Sequence, residues 1–400
     1  MRIGMMVDSY KPYISGITNY VEVNKQYLEK AGHEVYVFTF GDMEYEDDEP
    51  NVIRSPGLQL ADTGFYLSMR YSRQAKKLLQ TMDVVHVHHP FLSGRLALRY
   101  CRPAGIPIIF TNHSRYDLYA QAYLPAMPEE VSVGMLQAYM PPFCKAVDLV
   151  ITPSAGMARV LRELKVDSEV DIVPNGVDLT SFQKAQPLDR ESFGYKPDDI
   201  LIVYAGRIAL EKNLPFLIDS FNGIANAIPN VHLILIGGGV QQYEEEIRDL
   251  VKAQSNSDRI HMTGRVPYDQ LPAYLAMCDI FATASITEVH PLSVIEAMGA
   301  GLPVMGIESV GVGDTVEDGI TGFLATYDMP SFTAKLTRLC LDPNLRQQMR
   351  LSAREVSTVY AIERTTGLML EKYERLANQE TTRKGTINTR LREILERFLT

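Results

Sequence analysis

The chain has 400 residues, of which 46% are hydrophobic and 22% are charged, and its formal net charge is −10. These proportions are typical of a soluble globular protein and exclude a largely disordered chain. No stretch approaches the roughly 20 uninterrupted apolar residues of a membrane-spanning helix, and an acidic chain is a poor general nucleic-acid binder. Two domains are expected at this length, because one domain commonly has about 100 to 200 residues.

The first residues, MRIGMMVDSY, contain an apolar run that is too short for a signal peptide and predicts a buried strand. The cysteines are scattered, without a C-x-x-C pair or a histidine cluster at metal-binding spacing. They are Cys101, Cys144, Cys278 and Cys340. We therefore expect reduced, structural cysteines in a cytoplasmic protein, which could also lie peripherally on the cytoplasmic face of a membrane.

Apolar, β-branched runs alternate with amphipathic segments along most of the chain. Six candidate strands come first: RIGMMV, EVYVFTF, VVHVH, PIIFTN, LVITPS and EVDIVP. Six more follow: LIVYAGR, VHLILIG, IHMTGRV, IFATAS, LPVMGI and GFLATY. Continuous apolar strands separated by helices predict parallel sheets, so the fold class is α/β with two doubly wound, Rossmann-like domains facing a cleft.

The break between the domains is predicted in the turn-rich segment PNGVDLTSFQKAQP, residues 174–187. This assigns residues 1–180 to an N-terminal domain and residues 181–360 to a C-terminal domain. Residues 361–400 contain two charged amphipathic stretches without a strand between them. We expect this helical segment to pack back toward the N-terminal domain.

Charge is distributed unevenly along the first domain. The acidic loop GDMEYEDDEP, residues 41–50, is followed by a basic segment that contains Arg70, Arg73, Lys76, Lys77, Arg95, Arg99 and Arg102. Arg70, Arg73 and Lys77 recur at helical spacing beside leucine and tyrosine, so this helix could rest on an anionic membrane surface. A solvated helix face is the alternative interpretation.

In doubly wound folds, ligands bind beyond the carboxyl ends of the strands. After the first strand, Gly16 precedes an amphipathic helix, an arrangement that can hold phosphate oxygens, although it could equally be a turn glycine. After the strand PIIF, His113, with Asp117 four residues on, could donate or orient a proton near a reacting hydroxyl, or it could be purely structural. The histidines of VVHVHHP carry less functional signal, because they would alternate between the faces of a buried strand. They are His86, His88 and His89.

The second half carries a cationic motif and a glycine motif at strand ends. Arg207 and Lys212 flank a short loop in AGRIALEKN, and two fixed cations suit a diphosphate whose charge they neutralise as it leaves. The triple glycine of LILIGGGV, which includes Gly238, permits close approach of the backbone but is weak evidence alone.

Two carboxylates stand eight positions apart in TEVHPLSVIEAMGAGLPV, residues 287–304. On one continuous helix Glu288 and Glu296 would differ by about 80° in direction. Pro291 instead favours a helix that begins between them. This places Glu288 in a loop and Glu296 on the helix, with one carboxylate at a ligand's reacting end and the other at a distal polyol.

These motifs resemble the retaining nucleotide-sugar glycosyltransferases of the GT-B fold, specifically glycosyltransferase family four. The E-x7-E signature followed by E-A-M-x-x-G-x-P corresponds to residues 288–303, and G-R-x-x-x-x-K-N corresponds to residues 206–213. P-N-G-V-D at residues 174–178 and E-D-G-x-x-G at residues 317–322 complete the pattern. The motifs cover nearly the whole chain in the expected order.

The resemblance implies a nucleotide-sugar donor held by the C-terminal domain and an acceptor held by the N-terminal domain. Arg207 and Lys212 would contact the donor diphosphate together with a backbone amide of Gly16, and Glu296 would bind the ribose. Glu288 would lie by the donor sugar. His113 would lie by the 6-hydroxyl of the sugar or by the transferring centre, and no metal or other cofactor is implied.

The remaining implied donor-binding residues are Gly238, Val266, Pro291, Leu292 and Ser293. The family usually has Phe-Gly where this chain has His290-Pro291. Because proline lacks an N–H, the sugar would be held by the amides of Leu292 and Ser293.

The acceptor is indicated by DSYKPYISGIT and by the pattern T-x-H-x-x-Y-x-x-Y that begins at Thr111. Both resemble the diacylglycerol glucosyltransferase branch, which implies Tyr116, Asp117 and Tyr119 on the acceptor side. The predicted reaction moves a hexose, glucose, from a UDP-sugar to a membrane lipid such as diacylglycerol. A soluble sugar, an inositol phosphate or a small acid remains open as the acceptor. A non-catalytic nucleotide-sugar-binding protein or a GT-B epimerase is the alternative of another class, and the sequence leaves the oligomeric state open.

Overall fold

The computed structural model describes residues 1–13, 15–59, 66–68, 70–123 and 126–379. The predicted helical stretch at residues 380–400 lies outside these residues. The described chain forms two parallel sheets, one of seven strands and one of six, with helices packed against them. The predicted α/β fold class is confirmed.

The first sheet is built from the N-terminal half of the chain. Its strands are β1 (Arg2–Met6), β2 (Glu34–Phe40), β3 (Val52–Ser55), β6 (Val84–Val87), β7 (Ile108–Thr111), β8 (Leu149–Thr152) and β9 (Val170–Ile172), with a separate antiparallel pair β4 (Leu58–Gln59) and β5 (Tyr66–Leu67). Its helices are α1 (Gly16–Lys30), α2 (Arg73–Leu79), α3 (Leu92–Tyr100), α4 (Tyr116–Tyr123), α5 (Glu129–Ala146) and α6 (Ala155–Glu163). The spatial order is β3-β2-β1-β6-β7-β8-β9, and all neighbours in this sheet are parallel.

The second sheet follows the same design. Its strands are β10 (Ile200–Ala205), β11 (Val231–Ile236), β12 (Ile260–Gly264), β13 (Ile280–Ala282), β14 (Val304–Ile307) and β15 (Gly322–Ala325), in the order β12-β11-β10-β13-β14-β15. Its helices are α7 (Leu179–Gln183), α8 (Leu214–Ala225), α9 (Gln241–Ala253), α10 (Leu271–Met277), α11 (Leu292–Ala300), α12 (Val310–Thr315), α13 (Met329–Leu341) and α14 (Pro343–Ser357). Short 3-10 turns cover Arg102–Ala104, Glu191–Phe193, Leu210–Lys212, Ser257–Arg259 and Thr358–Tyr360.

The strands read as continuous apolar runs because helices cover both faces of each sheet. In β2, Val35 and Val37 point into the apolar layer beneath α1, whereas Phe38 and Phe40 point into the layer beneath α2, α3 and α5. All twelve predicted strands are present. The sequence pattern missed β3, whose VIRS residues are mostly half-buried at the edge of the sheet.

The chain returns to the first domain through a final helix, α15, residues 362–379. Its Met369, Tyr373 and Leu376 are buried in the same apolar layer as the first strand. Lys372 adds an ion pair, with Nζ at 2.7 Å from Oδ2 of Asp171. The predicted return of the C-terminal segment to the N-terminal domain is therefore confirmed for this helix.

Two chain segments connect the domains, and they lie side by side. The Val177 amide donates to the Tyr360 carbonyl at 3.0 Å, and the Ile362 amide donates to the Val177 carbonyl at 3.0 Å. A Cβ on Gly176 would lie 2.0 Å from Oγ1 of Thr365, so the PNGVD motif needs its glycine where α15 packs against it. The predicted boundary near residue 180 remains a prediction, and it falls between the last strand of the first sheet and the first strand of the second.

All four cysteines are buried and free. Among the described residues, no helix combines the length and the apolar character needed to span a membrane.

Candidate functional site

Each sheet has one point where its strand order reverses, between β1 and β6 in the first and between β10 and β13 in the second. The loops that follow strands at such a point leave a crevice for ligands. The two crevices meet: Oη of Tyr13, in the loop after β1, is 3.0 Å from Nη1 of Arg207, in the loop after β10. Helix α4 also packs against the turn Leu210–Lys212. The loops after β1 and β10 and helix α4 therefore lie beside one another where the two domains meet.

Arg207 is held by a carboxylate within its own loop. Its Nη2 lies 2.6 Å from Oε1 of Glu211, whose side chain is completely buried. The hydroxyls of Ser285 and Thr287 donate to the Glu211 carbonyl at 3.1 and 3.3 Å, which fixes this turn to the loop after β13. About a third of the Arg207 side chain, 35%, remains exposed and can meet an anionic ligand.

Lys212 forms an ion pair with Glu288, with Nζ at 2.5 Å from Oε1 and each side chain only 17% exposed. Burial raises the pKa of the Glu288 carboxyl, but the charge of Lys212 outweighs it and leaves that pKa below its ordinary value. Burial likewise opposes the charge of Lys212, and Glu288 outweighs it, so the pKa of Lys212 is raised. Both groups are therefore charged at neutral pH.

The triple glycine supports the loop that carries Arg207. A Cβ on Gly237 or Gly239 would lie 1.8 Å from the carbonyl oxygen of Gly206 or Ile208, respectively. The Ile208 amide donates to the Gly238 carbonyl at 3.0 Å. Close backbone packing thus explains why these positions are glycine, and the proposed contact of Gly238 with a donor remains untested.

The two glutamates of residues 287–304 lie on different elements, as predicted. Pro291 is the N-cap of α11, which begins at Leu292, so Glu288 lies in the preceding loop and Glu296 lies on the helix. The amides of Leu292 and Ser293 belong to the first turn, where a helix provides them with no acceptor.

Glu296 is buried and accepts a hydrogen bond from Oη of Tyr268 at 2.8 Å. Burial raises the pKa of this carboxyl to about 7, and the hydrogen bond from Tyr268 lowers it in part. Val266 is half-buried two residues before Tyr268. Glu288 and Glu296 thus differ in both partner and acidity, which indicates different roles.

His290 packs toward the interdomain connection. Its ring lies edge-on to Tyr360 at a centroid distance of 5.0 Å, and its carbonyl accepts from Nδ2 of Asn175 at 3.0 Å. Burial lowers the pKa of His290 to about 3, so the ring is neutral. The unusual dipeptide His290-Pro291 therefore links the start of α11 to the segments that join the domains.

Gly16 begins α1 on the opposite side of the cleft. The Oγ of Ser15 caps the helix by accepting from the Thr18 amide at 3.1 Å. Gly16 is exposed, and a Cβ placed on it would have no neighbour within 4 Å among the described atoms. Packing against the described residues therefore does not require a glycine here.

His113 follows β7, and its Nε2 lies 3.0 Å from Nδ1 of His88. Asp117 is bound instead by Arg115, with Nη2 at 2.6 Å from Oδ2. The Asp117 carboxylate is therefore paired with a guanidinium two residues away, and its part in a proton transfer beside His113 remains a prediction. His88, which carried little functional signal in the sequence, contacts His113 directly.

The two predicted acceptor-side tyrosines of α4 have different surroundings. Tyr116 lies edge-on to Phe91 at a centroid distance of 5.1 Å and packs against the N-terminal core. Tyr119 is close enough to Lys212 and Glu288 for their charges to act on its pKa, which burial raises. Of these two tyrosines, Tyr119 is thus the one on which the charged pair acts.

Comparison with known proteins identifies the family. Residues 14–181 match Glycosyltransferase Family 4, and residues 185–356 match Glycosyl transferases group 1. Over 339 residues the chain is 30% identical to the alpha-monoglucosyldiacylglycerol synthase of Acholeplasma laidlawii, an alignment that covers 80% of this chain and 84% of that protein. The chain belongs to the GT-B glycosyltransferases.

Solved structures share the fold of this glycosyltransferase. Sucrose-phosphate synthase from Thermosynechococcus elongatus aligns with a TM-score of 0.77 at 21% identity, over 94% of this chain and 98% of that one. Anabaena HepE in complex with UDP-glucose aligns with a TM-score of 0.74 at 18% identity, over 94% of this chain and 100% of that one. At these identities the likeness establishes the common two-domain architecture.

Several residues of the glycosyltransferase's cleft were not predicted. Tyr13, Glu211 and Tyr268 each bind a predicted residue directly. Tyr13 and Glu211 lie inside the motifs DSYKPYISGIT and GRIALEKN, so the sequence marked their positions as important. It did not show that both bind Arg207. Among the described residues no group of three or more His, Cys, Asp or Glu could hold a metal ion, and independence from metal remains a prediction.

Proposed function

We propose that this glycosyltransferase moves glucose from UDP-glucose to a hydroxyl of a membrane lipid, such as diacylglycerol, with retention of the anomeric configuration. The observation that supports this most strongly is the pair of cations after β10. Arg207 and Lys212 are each held by a carboxylate, at the edge where the two domains meet. Fixed cations at a strand end suit the charge of a diphosphate leaving group.

The donor lies across the cleft in this proposal. Arg207 and Lys212 bind the diphosphate from one side, and the Gly16 amide at the N-terminus of α1 approaches it from the other. Glu296 accepts the ribose hydroxyls, and Glu288 positions the sugar. Gly238, Val266 and the start of α11 at Pro291, Leu292 and Ser293 complete the donor site.

The reaction follows from this arrangement. The bond between the anomeric carbon and the diphosphate lengthens toward an oxocarbenium-like state. Arg207 and Lys212 stabilise the charge that develops on the leaving oxygen. That oxygen takes the proton of the acceptor hydroxyl as the hydroxyl attacks from the same face, so the step needs neither a protein base nor a metal. His113 contacts the sugar beside this centre.

A lipid acceptor is supported by the surface next to α4. Helix α3 starts beside Phe91, whose ring contacts Tyr116, and continues to Arg99. Arg99 and Lys76 line a surface cleft of about 420 Å³, and every basic side chain named in the basic segment is exposed. On the neighbouring helix α5, Val131 is 50% exposed and Met135 is 61% exposed. Exposed apolar and basic side chains on one side of the acceptor domain suit an anionic membrane.

Removal of two charges from this face is expected to weaken membrane binding. Each basic residue near an anionic surface contributes about 1 kcal/mol, so a Lys76→Gln and Arg99→Gln double variant should bind anionic vesicles about 30-fold more weakly. Vesicle co-sedimentation at low and high salt measures this. The same change at the exposed Arg248 and Lys252 of α9 is the matched control. Equal binding by both double variants would contradict a role for the basic face.

Donor binding is expected to depend on the protonation of Glu296. The pKa of Glu296 is about 7 in the free protein. If UDP-glucose needs the carboxylate form of Glu296, the protein should bind it about tenfold more weakly at pH 6 than at pH 8. Tyr268→Phe removes a hydrogen bond that lowers this pKa, so the midpoint of the pH profile should move upward. Calorimetric titrations across this range test both statements. Glu296→Gln is the control that should flatten the profile, and a flat wild-type profile would contradict the assignment.

The reaction is tested by incubating the protein with UDP-glucose and vesicles that contain diacylglycerol. The proposal predicts glucosyldiacylglycerol with an α-linkage, identified by the anomeric proton coupling. UDP release without glycolipid would reject the lipid acceptor, and a β-linkage would reject retention. Epimerisation of UDP-GlcNAc at C2 would reject transfer altogether, and binding of UDP-glucose without any product would indicate a non-catalytic protein.

A further inference from the structure

Three histidines form a row beneath the cleft. His86 in β6 and His88 just after it are completely buried, and His113 follows the neighbouring strand β7. Their ring centroids lie 4.1 Å apart between His86 and His88, and 5.2 Å apart between His88 and His113, with the latter rings nearly parallel at 29°. Neither His86 nor His88 has a part in the proposed donor or acceptor contacts.

The far end of the row is fully hydrogen-bonded. Nδ1 of His86 lies 2.7 Å from Oη of Tyr373 on α15, and Nε2 lies 2.6 Å from Oγ1 of Thr111. Hydroxyl groups can donate or accept, so either tautomer of His86 is satisfied. His86 therefore has a structural role, because it links the first sheet to the C-terminal helix.

His88 is different because only one of its nitrogens has a partner. Its Nδ1 meets Nε2 of His113 at 3.0 Å, whereas its Nε2 is buried and has no hydrogen-bond partner among the described residues. Burial lowers the pKa of both His88 and His113, so the two rings are neutral and each carries one N–H. The hydrogen bond between them contains the hydrogen of only one ring. Which ring donates that hydrogen decides the tautomer of both.

Burial of the free nitrogen favours one of the two arrangements. If His113 donated, His88 would carry its own hydrogen on Nε2, and a buried N–H would lack an acceptor. Buried N–H groups without an acceptor are rare in proteins, and unfilled acceptors are less so. His88 is therefore the donor through Nδ1, which leaves the hydrogen of His113 on Nδ1, the nitrogen that His88 does not bind.

The ring of His113 is also restrained from turning. Tyr20 packs against it at a centroid distance of 4.7 Å and against His88 at 5.5 Å. His113 itself is half-buried, so an edge of its ring remains accessible. The other titratable groups nearby are His89, whose Nδ1 accepts from the Asp8 amide at 3.2 Å, and Asp8 itself.

We propose that His88 is a positioning residue, which binds Nε2 of His113 and thereby presents Nδ1–H of His113 to the cleft as a neutral hydrogen-bond donor. This rests on the proposed function in one respect, namely that His113 contacts the donor sugar. A neutral donor fits an oxygen with a free lone pair, either a sugar hydroxyl or the leaving oxygen of the diphosphate. It also keeps its hydrogen across the neutral pH range.

The tautomer is measured directly by nitrogen NMR of the full chain labelled with ¹⁵N in the histidine rings, with His113→Gln identifying the signal of His113. The wild type is expected to show the Nδ1–H form of His113. His88→Leu should lose that preference, and His88→Asn should restore it, because the amide nitrogen of asparagine occupies nearly the position of Nδ1. His86→Leu is the matched control, which removes a buried histidine of the same strand and should leave the tautomer unchanged.

Kinetics provide the second readout. His88→Leu is expected to lower kcat about tenfold with little change in the KM for UDP-glucose, and His88→Asn should recover most of this loss. The Nε2–H form in the wild type, or an unchanged tautomer in His88→Leu, would overturn the inference. A wild type that transfers glucose while His88→Leu retains its full kcat would also overturn it. A wild type that shows the Nδ1–H form but no transfer would instead reject the proposed function, because the NMR measurement needs no turnover.

Discussion

Replacing Lys212 by methionine is expected to lower kcat by about a thousandfold, the order observed when a fixed electrostatic partner of a developing charge is removed. Lys212 would stabilise the charge on the leaving diphosphate, and it also neutralises Glu288 at 2.5 Å. Methionine keeps the length and packing of the side chain but removes both effects. The variant would leave Glu288 as a buried carboxylate without its cation, so its pKa should rise.

Steady-state kinetics with UDP-glucose and diacylglycerol vesicles measure the effect of Lys212→Met. Lys252→Met on α9 is the control, since that lysine is 68% exposed and pairs only with Asp249 among the contacts observed. The double variant with Glu288→Gln should recover stability in thermal unfolding without recovering kcat, because the uncompensated charge is removed but the cation is still missing. A Lys212→Met variant with wild-type kcat would contradict the leaving-group role.

Replacing Glu296 by alanine is expected to weaken donor binding about 10- to 100-fold, because hydrogen bonds to a charged group contribute roughly 1.5 to 3 kcal/mol each. The proposed ribose contact would be lost, and Oη of Tyr268 would lose the acceptor that it meets at 2.8 Å. Tyr268→Phe separates these effects, since it removes only the hydroxyl and should cost much less affinity at pH 8.

Calorimetry or equilibrium dialysis with UDP-glucose measures the affinity of Glu296→Ala. Glu296→Gln should fall between the wild type and the alanine variant, because it keeps one acceptor oxygen without the charge. Unchanged donor affinity in Glu296→Ala would refute the ribose role and would leave the burial of this glutamate without a functional explanation.

The fold was predictable because its signal is local. Strands covered on both faces, such as VVHV in β6 and LVIT in β8, are buried throughout and mostly apolar, so they could be recognised one at a time. The edge strand β3 could not, because its half-buried VIRS residues resemble a loop. Pro291 similarly marked the start of α11, and its position alone separated Glu288 from Glu296.

The partners within the site were not predictable, because they depend on how distant loops meet. Nothing near Arg207 in the sequence indicates Tyr13, which is 194 residues away. The sequence likewise could not show that Arg115 binds the carboxylate of Asp117, because spacing does not reveal which neighbour a side chain pairs with. The contact between His88 and His113 was equally hidden, because only the packing of β6 beside β7 brings the two rings together.

The central claim is that the two carboxylates have separate tasks, Glu288 at the sugar and Glu296 at the ribose. The most direct test compares the affinities for UDP and for UDP-glucose in the wild type, Glu288→Gln and Glu296→Ala. The claim predicts that Glu296→Ala lowers the affinities for both ligands by the same factor. Glu288→Gln should leave the affinity for UDP unchanged and abolish the difference in affinity between UDP-glucose and UDP. Loss of UDP affinity in Glu288→Gln, together with unchanged UDP affinity in Glu296→Ala, would contradict it.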